Sequence, residues 1–469
     1  MTSAMMFYAT LLLLGSDEQA PAGDAASLSL QEVLASATAA YPLLAAAEQR
    51  RILAAAELQT AEGSFDTSWK TRASSLAPSY YQHYTVDSII EQPTTLWGST
   101  FFGGYRWGRG DVPPYYGNLQ TARGGEVRAG VAVPLLRNGS TDRRRAAIEQ
   151  AKLGQKLAQG EIDLVRIEVR RGATYRYWDW VLAGRRRAIA QELLGIAQAR
   201  DEAVHRRSEV GDVATIDKVD NERAIAERTE RVIAADRALE QAAIALSLYL
   251  RDAAGRPVRL TAERLPKSLP EPQALAEGPL ANQVERAMAV RPELVRLGAQ
   301  RKQQEVERSW AQNQALPAVD LSLVASRDLG QGDSRFERSE LAANLIVDVP
   351  LQRRVAKGRE RAAGAAIARL QAEEQMAKDR IEADVRDSQS ALQAAFKRVG
   401  LARQQRALAV QLEKAERTRF ELGESNLLLV NLREQASADA ALAEAEALGA
   451  SLRSQADYQA ALADFGPAP

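Results

Sequence analysis

The sequence predicts a mainly α-helical protein with a small β part, in which one unit, a strand pair followed by a long helical hairpin, is used twice in tandem. Three observations predict this. Tyr41-Pro42-Leu43-Leu44 and Arg291-Pro292-Glu293-Leu294 each open an Ala/Glu/Gln/Arg-rich helical stretch that gives way to alternating strands. The strands end in matching corners, Val133-Pro134-Leu135 and Val349-Pro350-Leu351, and the helical stretches beyond end in matching turns, Arg207-Ser208-Glu209-Val210-Gly211 and Arg419-Phe420-Glu421-Leu422-Gly423. Finally, 77 positions separate Pro134 from Gly211 and 73 separate Pro350 from Gly423, so the two arms are nearly equal, as expected of an internal repeat.

The elements follow in chain order. Leu30 to Glu62 is rich in Ala, Leu, Glu and Gln and reads as a helix that stops at Gly63. From Asp66 to Ala73 the period changes to two, with Thr67, Trp69, Thr71 and Ala73 opposing Asp66, Ser68, Lys70 and Arg72. Glu126 to Val133 alternates likewise, and the second copy supplies Val319 to Ser326 and Ala343 to Val349, so each copy is expected to give two principal strands. A soluble sandwich with one wet face fits such strands, and so does a transmembrane barrel. Twelve of the 26 aromatic residues fall between Phe65 and Tyr116. Trp69, Trp97, Phe101, Phe102, Tyr105 and Trp107 among them are candidates for a membrane interface, with an ordinary aromatic core as the alternative. The first hairpin is about 34 residues longer than the second. Gly103-Gly104, Gly108, Gly110 and Pro113-Pro114 mark turns in the surplus, which predicts a long outer loop between Tyr80 and Arg123.

Asp142 to Arg207 contains no Pro and carries mixed charges with apolar residues at helical spacing. Some 65 helical residues reach on the order of 100 Å, longer than any compact domain requires. After Gly211 a seven-residue beat, Ile225, Val232, Leu239 and Leu246, accompanied by Ala235, Ala242 and Tyr249, predicts a coiled-coil seam. Six prolines between Pro257 and Pro292 exclude one continuous helix between the copies. The expected organisation is a signal peptide over 1–25, a first repeat over 26–250 (β region 65–134, helical hairpin 140–250), and a Pro-rich linker over 251–280. A second repeat spans 281–464 (β-hairpin 318–350, helical hairpin 353–464), and a tail covers 465–469.

Composition narrows the function classes. Lys plus Arg and Asp plus Glu are both 61 and interleaved, which leaves no basic field for nucleic acid. There is no Cys and there are two His, at 83 and 205, a poor supply for disulfides, thiol chemistry or a zinc or iron site. No catalytic, cofactor-binding or metal-ligating residue is expected. Ala4 to Gly15 is an apolar run of secretory length, followed by Ala20-Pro21-Ala22 as a cleavage candidate, although Met1 to Met5 holds no Lys or Arg. No Cys follows it to carry a lipid anchor, and no stretch has the roughly 18 apolar residues of a spanning helix. A membrane crossing would have to be made by strands in a closed barrel.

A helix, a two-strand unit left through a proline corner and a long helical hairpin, all given twice, resembles the TolC-like outer-membrane efflux proteins over about Leu28 to Asp464. Val210-Gly211-Asp212-Val213-Ala214-Thr215-Ile216-Asp217 is similar to the family's hairpin tip, with Leu422-Gly423-Glu424-Ser425-Asn426-Leu427-Leu428-Leu429 in the same place of the second copy. Leu135-Leu136-Arg137-Asn138-Gly139 and Asp142-Arg143-Arg144-Arg145 are similar to its strand-to-helix corner. The resemblance implies a homotrimer in the outer membrane, with four strands per chain in a 12-stranded barrel above a periplasmic helical tunnel. It also implies an efflux or type I secretion channel whose tips meet a periplasmic adaptor linked to an inner-membrane pump. Arg207, Val210, Gly211, Asp217, Arg419, Leu422 and Gly423 are the candidate tip and adaptor contacts, with Gly211 and Gly423 supplying turn geometry. Some family members place aspartates in the second tip, where this chain has Leu427, Leu428 and Leu429. These three leucines are candidates for an apolar constriction or for seam packing.

Two other function classes compete. A periplasmic coiled-coil adaptor shares the long helices, but one hairpin is usual there and this chain has two. An enzyme with paired carboxylates would need its Asp and Glu gathered in a site, whereas here they sit in helical charge mixtures.

Overall fold

The computed structural model describes residues 27–76, 80–111, 120–210, 215–272, 279–332 and 338–464. The apolar run with its cleavage candidate, Pro113 to Tyr116, Gly211 to Ala214 and the tail from Gly466 lie outside the described residues.

Two copies of one plan are apparent. The first begins with α1 (Leu30–Ala40) and α2 (Pro42–Glu62), the second with α5 (Leu280–Val290) and α6 (Pro292–Gln314). The single helix expected over 30–62 is thus two helices. Tyr41 and Arg291, each held extended by the proline that follows, leave the helical region, and that proline opens the next helix at its first position. The arms are α3 (Arg143–Glu209) returning as α4 (Thr215–Ser247), and α7 (Arg354–Glu421) returning as α8 (Leu427–Ala461). α3 has 67 residues and α7 has 68, about 100 Å of helix each. None of the described helices is long and apolar enough to cross a membrane.

The core lies midway along the arms. Trp180 and Val181 of α3, Val33 and Ala37 of α1, Leu246 of α4 and Leu250 just beyond it are buried together, and Tyr177 donates its hydroxyl to the Leu28 carbonyl at 3.0 Å. The segment between the copies closes over it with Val258, Leu260, Leu265 and Leu269. The second copy has a smaller equivalent, in which Ala287 of α5 meets Ile381 and Val385 of α7. Gly449 lets α8 approach α3 closely, since a β-carbon there would collide with Leu182.

The sheet corrects the strand count. Six strands, β1 (Ser68–Leu76), β2 (His83–Pro93), β3 (Thr100–Gly110), β4 (Glu126–Pro134), β5 (Ala318–Asp328) and β6 (Glu340–Asp348), form one antiparallel sheet in chain order. The first copy gives four of them, not two, because much of the expected outer loop is the hairpin β2–β3. Gly103, Gly104, Gly108 and Gly110 are strand residues rather than turn residues. The tight turn of this hairpin is Leu96 to Ser99, with positive φ at Trp97 and Gly98 and a Ser99 N–H to Leu96 carbonyl bond of 3.0 Å.

Candidate functional site

Residues directly opposite in an antiparallel pair point to the same side of a sheet, so the register sorts the strands into two faces. One row runs Trp69, Ile90, Gly103, Ala129, Ala325 and Leu341. The next row toward the helices runs Gln92, Phe101, Val131, Leu323 and Ala343. This face is mostly apolar and largely exposed, with Arg109 and Arg327 on it toward the end away from the helices. The opposite face carries Arg72, Asp87, Arg106, Glu126 and Asp328 in one row and Lys70, Arg128 and Glu340 among the next.

The charges of the second face are paired across strands. Arg106 meets Glu126 at 2.5 Å, Lys70 meets Glu91, and Arg128 of β4 reaches both carboxylate oxygens of Asp87 on β2 at 2.5 and 2.6 Å. That last pair spans β3 at Gly104, where a β-carbon would crowd the backbone of Ser88 and Ile89. Of the aromatic candidates, Trp69, Phe101, Tyr105 and Trp107 share the apolar face. Phe102 is on the charged face, opposite Glu91, where its ring covers Gly130. Trp97 is in the β2–β3 turn, with its indole over Gly139.

The first strand-to-helix corner is a polar cage. Asp142 caps α3 by accepting from the Arg145 amide at 2.9 Å, and the Arg145 guanidinium donates to the carbonyls of Asn138 at 2.8 Å and Gly139 at 2.7 Å and to the Asp142 carboxylate at 2.9 Å. Asn138 sits at φ 70°, a conformation its side chain tolerates, and its amide donates to Asn313 at the end of α6. Just below, Trp310 of α6 lies between the guanidinium groups of Arg143 (5.1 Å) and Arg359 (4.9 Å), which joins α3, α6 and α7.

At the far end, Gly423 (φ 79°) closes α7 in a Schellman motif, with Glu424 N–H to Arg419 carbonyl at 2.8 Å and Gly423 N–H to Phe420 carbonyl at 3.1 Å. Asn426 then caps α8 by accepting from the Leu429 amide. Arg419 turns inward to Glu416 (3.8 Å) and the Glu424 carbonyl, so it ties its own turn. Arg207 lies over the Phe420 ring at 5.9 Å and links the two hairpins. Val210 and Leu422 are exposed, and Asp217 sits in the first turn of α4, a favourable place for a carboxylate. The three leucines divide: Leu427 is 0% exposed within the seam, whereas Leu428 and Leu429 are 59% and 39% exposed.

Sequence reasoning missed the strongest tie between the arms. Glu434 of α8, 0% exposed, accepts from Arg200 of α3 at 2.8 Å and from Arg228 of α4 at 2.9 Å, with Arg417 of α7 at 3.5 Å. Asn431 accepts from Arg200 at 2.7 Å, Asn221 donates to Asp201 at 2.8 Å, and Arg228 also donates to the Leu193 carbonyl at 2.8 Å. One carboxylate thus gathers guanidinium groups from the other three columns. Farther up, Tyr175 donates to Asp457, and burial, then that hydrogen bond, raises the phenol above its ordinary pKa, so it remains a donor. Among the described residues no cluster of His, Asp and Glu is arranged to hold a metal ion.

No family model matches the chain, and no curated protein matches it. Solved structures of outer-membrane channels do. The outer-membrane channel OprN superposes with a TM-score of 0.67 at 16% identity, covering 96% of this chain and 98% of that one. The outer membrane protein VceC of Vibrio cholerae gives 0.65 at 14% identity over 92% and 96%, and the open state of the MtrE outer membrane channel of Neisseria gonorrhoeae gives 0.65 at 16% over 92% and 88%. Two-faced sheet, proline corners and paired 100 Å arms together, this chain has the fold of the TolC-like outer-membrane channels.

Proposed function

We propose that this chain is the outer-membrane component of a tripartite efflux or type I secretion system, a passive conduit from periplasm to exterior built from three copies. The observation that carries this reading is a sheet with one apolar face, one charged face and two unpaired edge strands, standing on paired helical arms. In hydrocarbon a free edge leaves amides without partners, so such a sheet belongs in a closed barrel. Six strands are fewer than the roughly eight of the smallest membrane barrels, which calls for more than one chain.

In this reading the apolar face meets outer-membrane lipid, with Trp69, Phe101, Tyr105 and Trp107 toward the headgroups, and the charged face lines a water-filled lumen. The tips, through Arg207, Val210, Gly211, Asp217, Leu422 and Gly423, dock a periplasmic adaptor whose inner-membrane pump supplies the energy; Arg419 shapes the second tip. The channel itself performs no chemistry. Fractionated cells should yield a detergent-stable trimer in the outer membrane, and recovery as a soluble monomer would refute the reading.

Leu428 and Leu429 form the apolar constriction in this proposal, while Leu427 packs the seam. Leu428→Asp and Leu429→Asp are each expected to change single-channel conductance in a planar bilayer several-fold, because a charge rehydrates a dewetted ring. Conductance equal to wild type would assign both side chains to packing alone.

A further inference from the structure

The sheet has six strands where two copies of a strand pair account for four, and we infer that all six are barrel wall. β6 of one copy then pairs with β1 of the next, and three copies close an eighteen-stranded barrel about as wide as the helical ring beneath it. The inference rests on the outer-membrane conduit reading and adds to it the architecture and bore of the pore.

Three observations support it. The inserted hairpin obeys the two-faced rule of its neighbours: Ile90 and Phe101 fall on the apolar face, Asp87 and Arg106 on the charged one. It is fastened at both levels, by the Arg128–Asp87 pair across β3 and by Trp97 and Gly98 against the corner at Asn138 to Asp142. The free edges also suit one another. β1 and β6 have nine residues each and run in opposite directions, as antiparallel pairing between copies requires.

Circumference adds an independent argument. Strands spaced about 4.8 Å apart and tilted about 35–45° occupy about 6–7 Å each, so six take up about 35–41 Å of wall. Each copy presents four helical columns at any height, α2, α3, α6 and α7 above and α3, α4, α7 and α8 below. At interaxial distances of about 8–10 Å these need about 32–40 Å. Six strands match that arc, and four would span about 23–27 Å. Eighteen strands give a backbone diameter of about 36 Å, against about 24 Å for twelve. Size selection then rests with the helical tips and not with the barrel.

The absence of cysteine allows a background-free test. Adjacent residues on opposite faces are replaced singly by cysteine, Ile89 and Ile90 on β2, Phe101 and Phe102 on β3, and Ser322 and Leu323 on β5 as the reference. Intact outer membranes are then treated with a charged, membrane-impermeant maleimide. I90C, F101C and L323C are expected to react at least tenfold more slowly than I89C, F102C and S322C. Equal reactivity within the β2 and β3 pairs, with L323C still protected, would place the hairpin outside the wall and overturn the inference alone. A reactive L323C would instead remove the lipid-facing sheet, and the conduit reading with it. Counting strands in a cross-section of the wild-type oligomer by electron cryomicroscopy needs no variant: six per copy supports the inference and four per copy ends it.

Discussion

Glu434→Ala is expected to weaken the lower helical bundle by about 3–5 kcal/mol, the cost of removing one member of a buried ion pair and leaving its partners charged. Arg228 bears most of that cost. Its side chain is 5% exposed and would keep the Leu193 carbonyl and Asn431 as acceptors, neither of which neutralises it. Arg200, at 14%, is nearer to water and retains Asn221 and Asn431. Glu434→Gln preserves the shape and one acceptor and should cost less, about 1.5–3 kcal/mol. Hydrogen exchange reads the effect locally. At about 1.4 kcal/mol per tenfold, the amides around Arg200, Arg228 and Glu434 should lose about two to three and a half orders of magnitude of protection in the alanine variant, while those of β1 to β6 stay as they were. A loss below tenfold would mean that the carboxylate is not what holds the four columns together.

This cluster was within reach of the sequence. The heptad line through Ala235, Ala242 and Tyr249, continued toward the N-terminus, passes through Arg228 and Asn221, and the line through Leu427 passes through Glu434 to Ala441 and Leu448. Reading heptads from apolar residues alone stops where the seam turns polar. That is where a buried polar group can fix register between helices. Arg200 lies in the same way between Leu193 and Arg207 on α3. Complementary ions on separate helices become visible only when the helices are set side by side, because no local spacing connects residue 200 with residue 434.

The doubled plan and the long arms were legible because proline and glycine punctuate them at matching places, and β1, β4, β5 and β6 because their alternation is clean. The β2–β3 hairpin was not. From Thr100 to Gly110 both faces carry glycine and aromatic residues, so the period of two is blurred, and four glycines suggest turns. Their positions have contact reasons instead. Gly104 lies where the Arg128 side chain crosses toward Asp87, and on the next strand Gly130 accommodates the ring of Phe102. Gly104 answers to the backbone of Ser88 and Ile89 and Gly130 to the ring of Phe102, neighbours on adjacent strands that a one-dimensional pattern does not contain.

Arg145→Ala tests how the sheet is fixed to the helices. The guanidinium holds the carbonyls of Asn138, Gly139 and Ser140 and the Asp142 carboxylate, all within the few residues where β4 becomes α3. Truncation leaves those acceptors to water that reaches them poorly beneath Trp97. With charge-assisted hydrogen bonds worth about 1.5–3 kcal/mol each and water recovering part of the loss, the expected destabilisation is about 2–4 kcal/mol. Arg145→Lys carries the charge but cannot fork between three carbonyls and a carboxylate, so it should recover less than half of the difference. The readout is limited proteolysis of the protein in detergent. Cleavage should appear between Leu136 and Thr141 in the alanine variant, be slower in the lysine variant and be absent from wild type at the same protease dose. If the corner resists equally in all three, the rigidity of the junction comes from the strand pairing of β4 with β5 and from the Asn138–Asn313 bond, and the arginine cage is incidental to it.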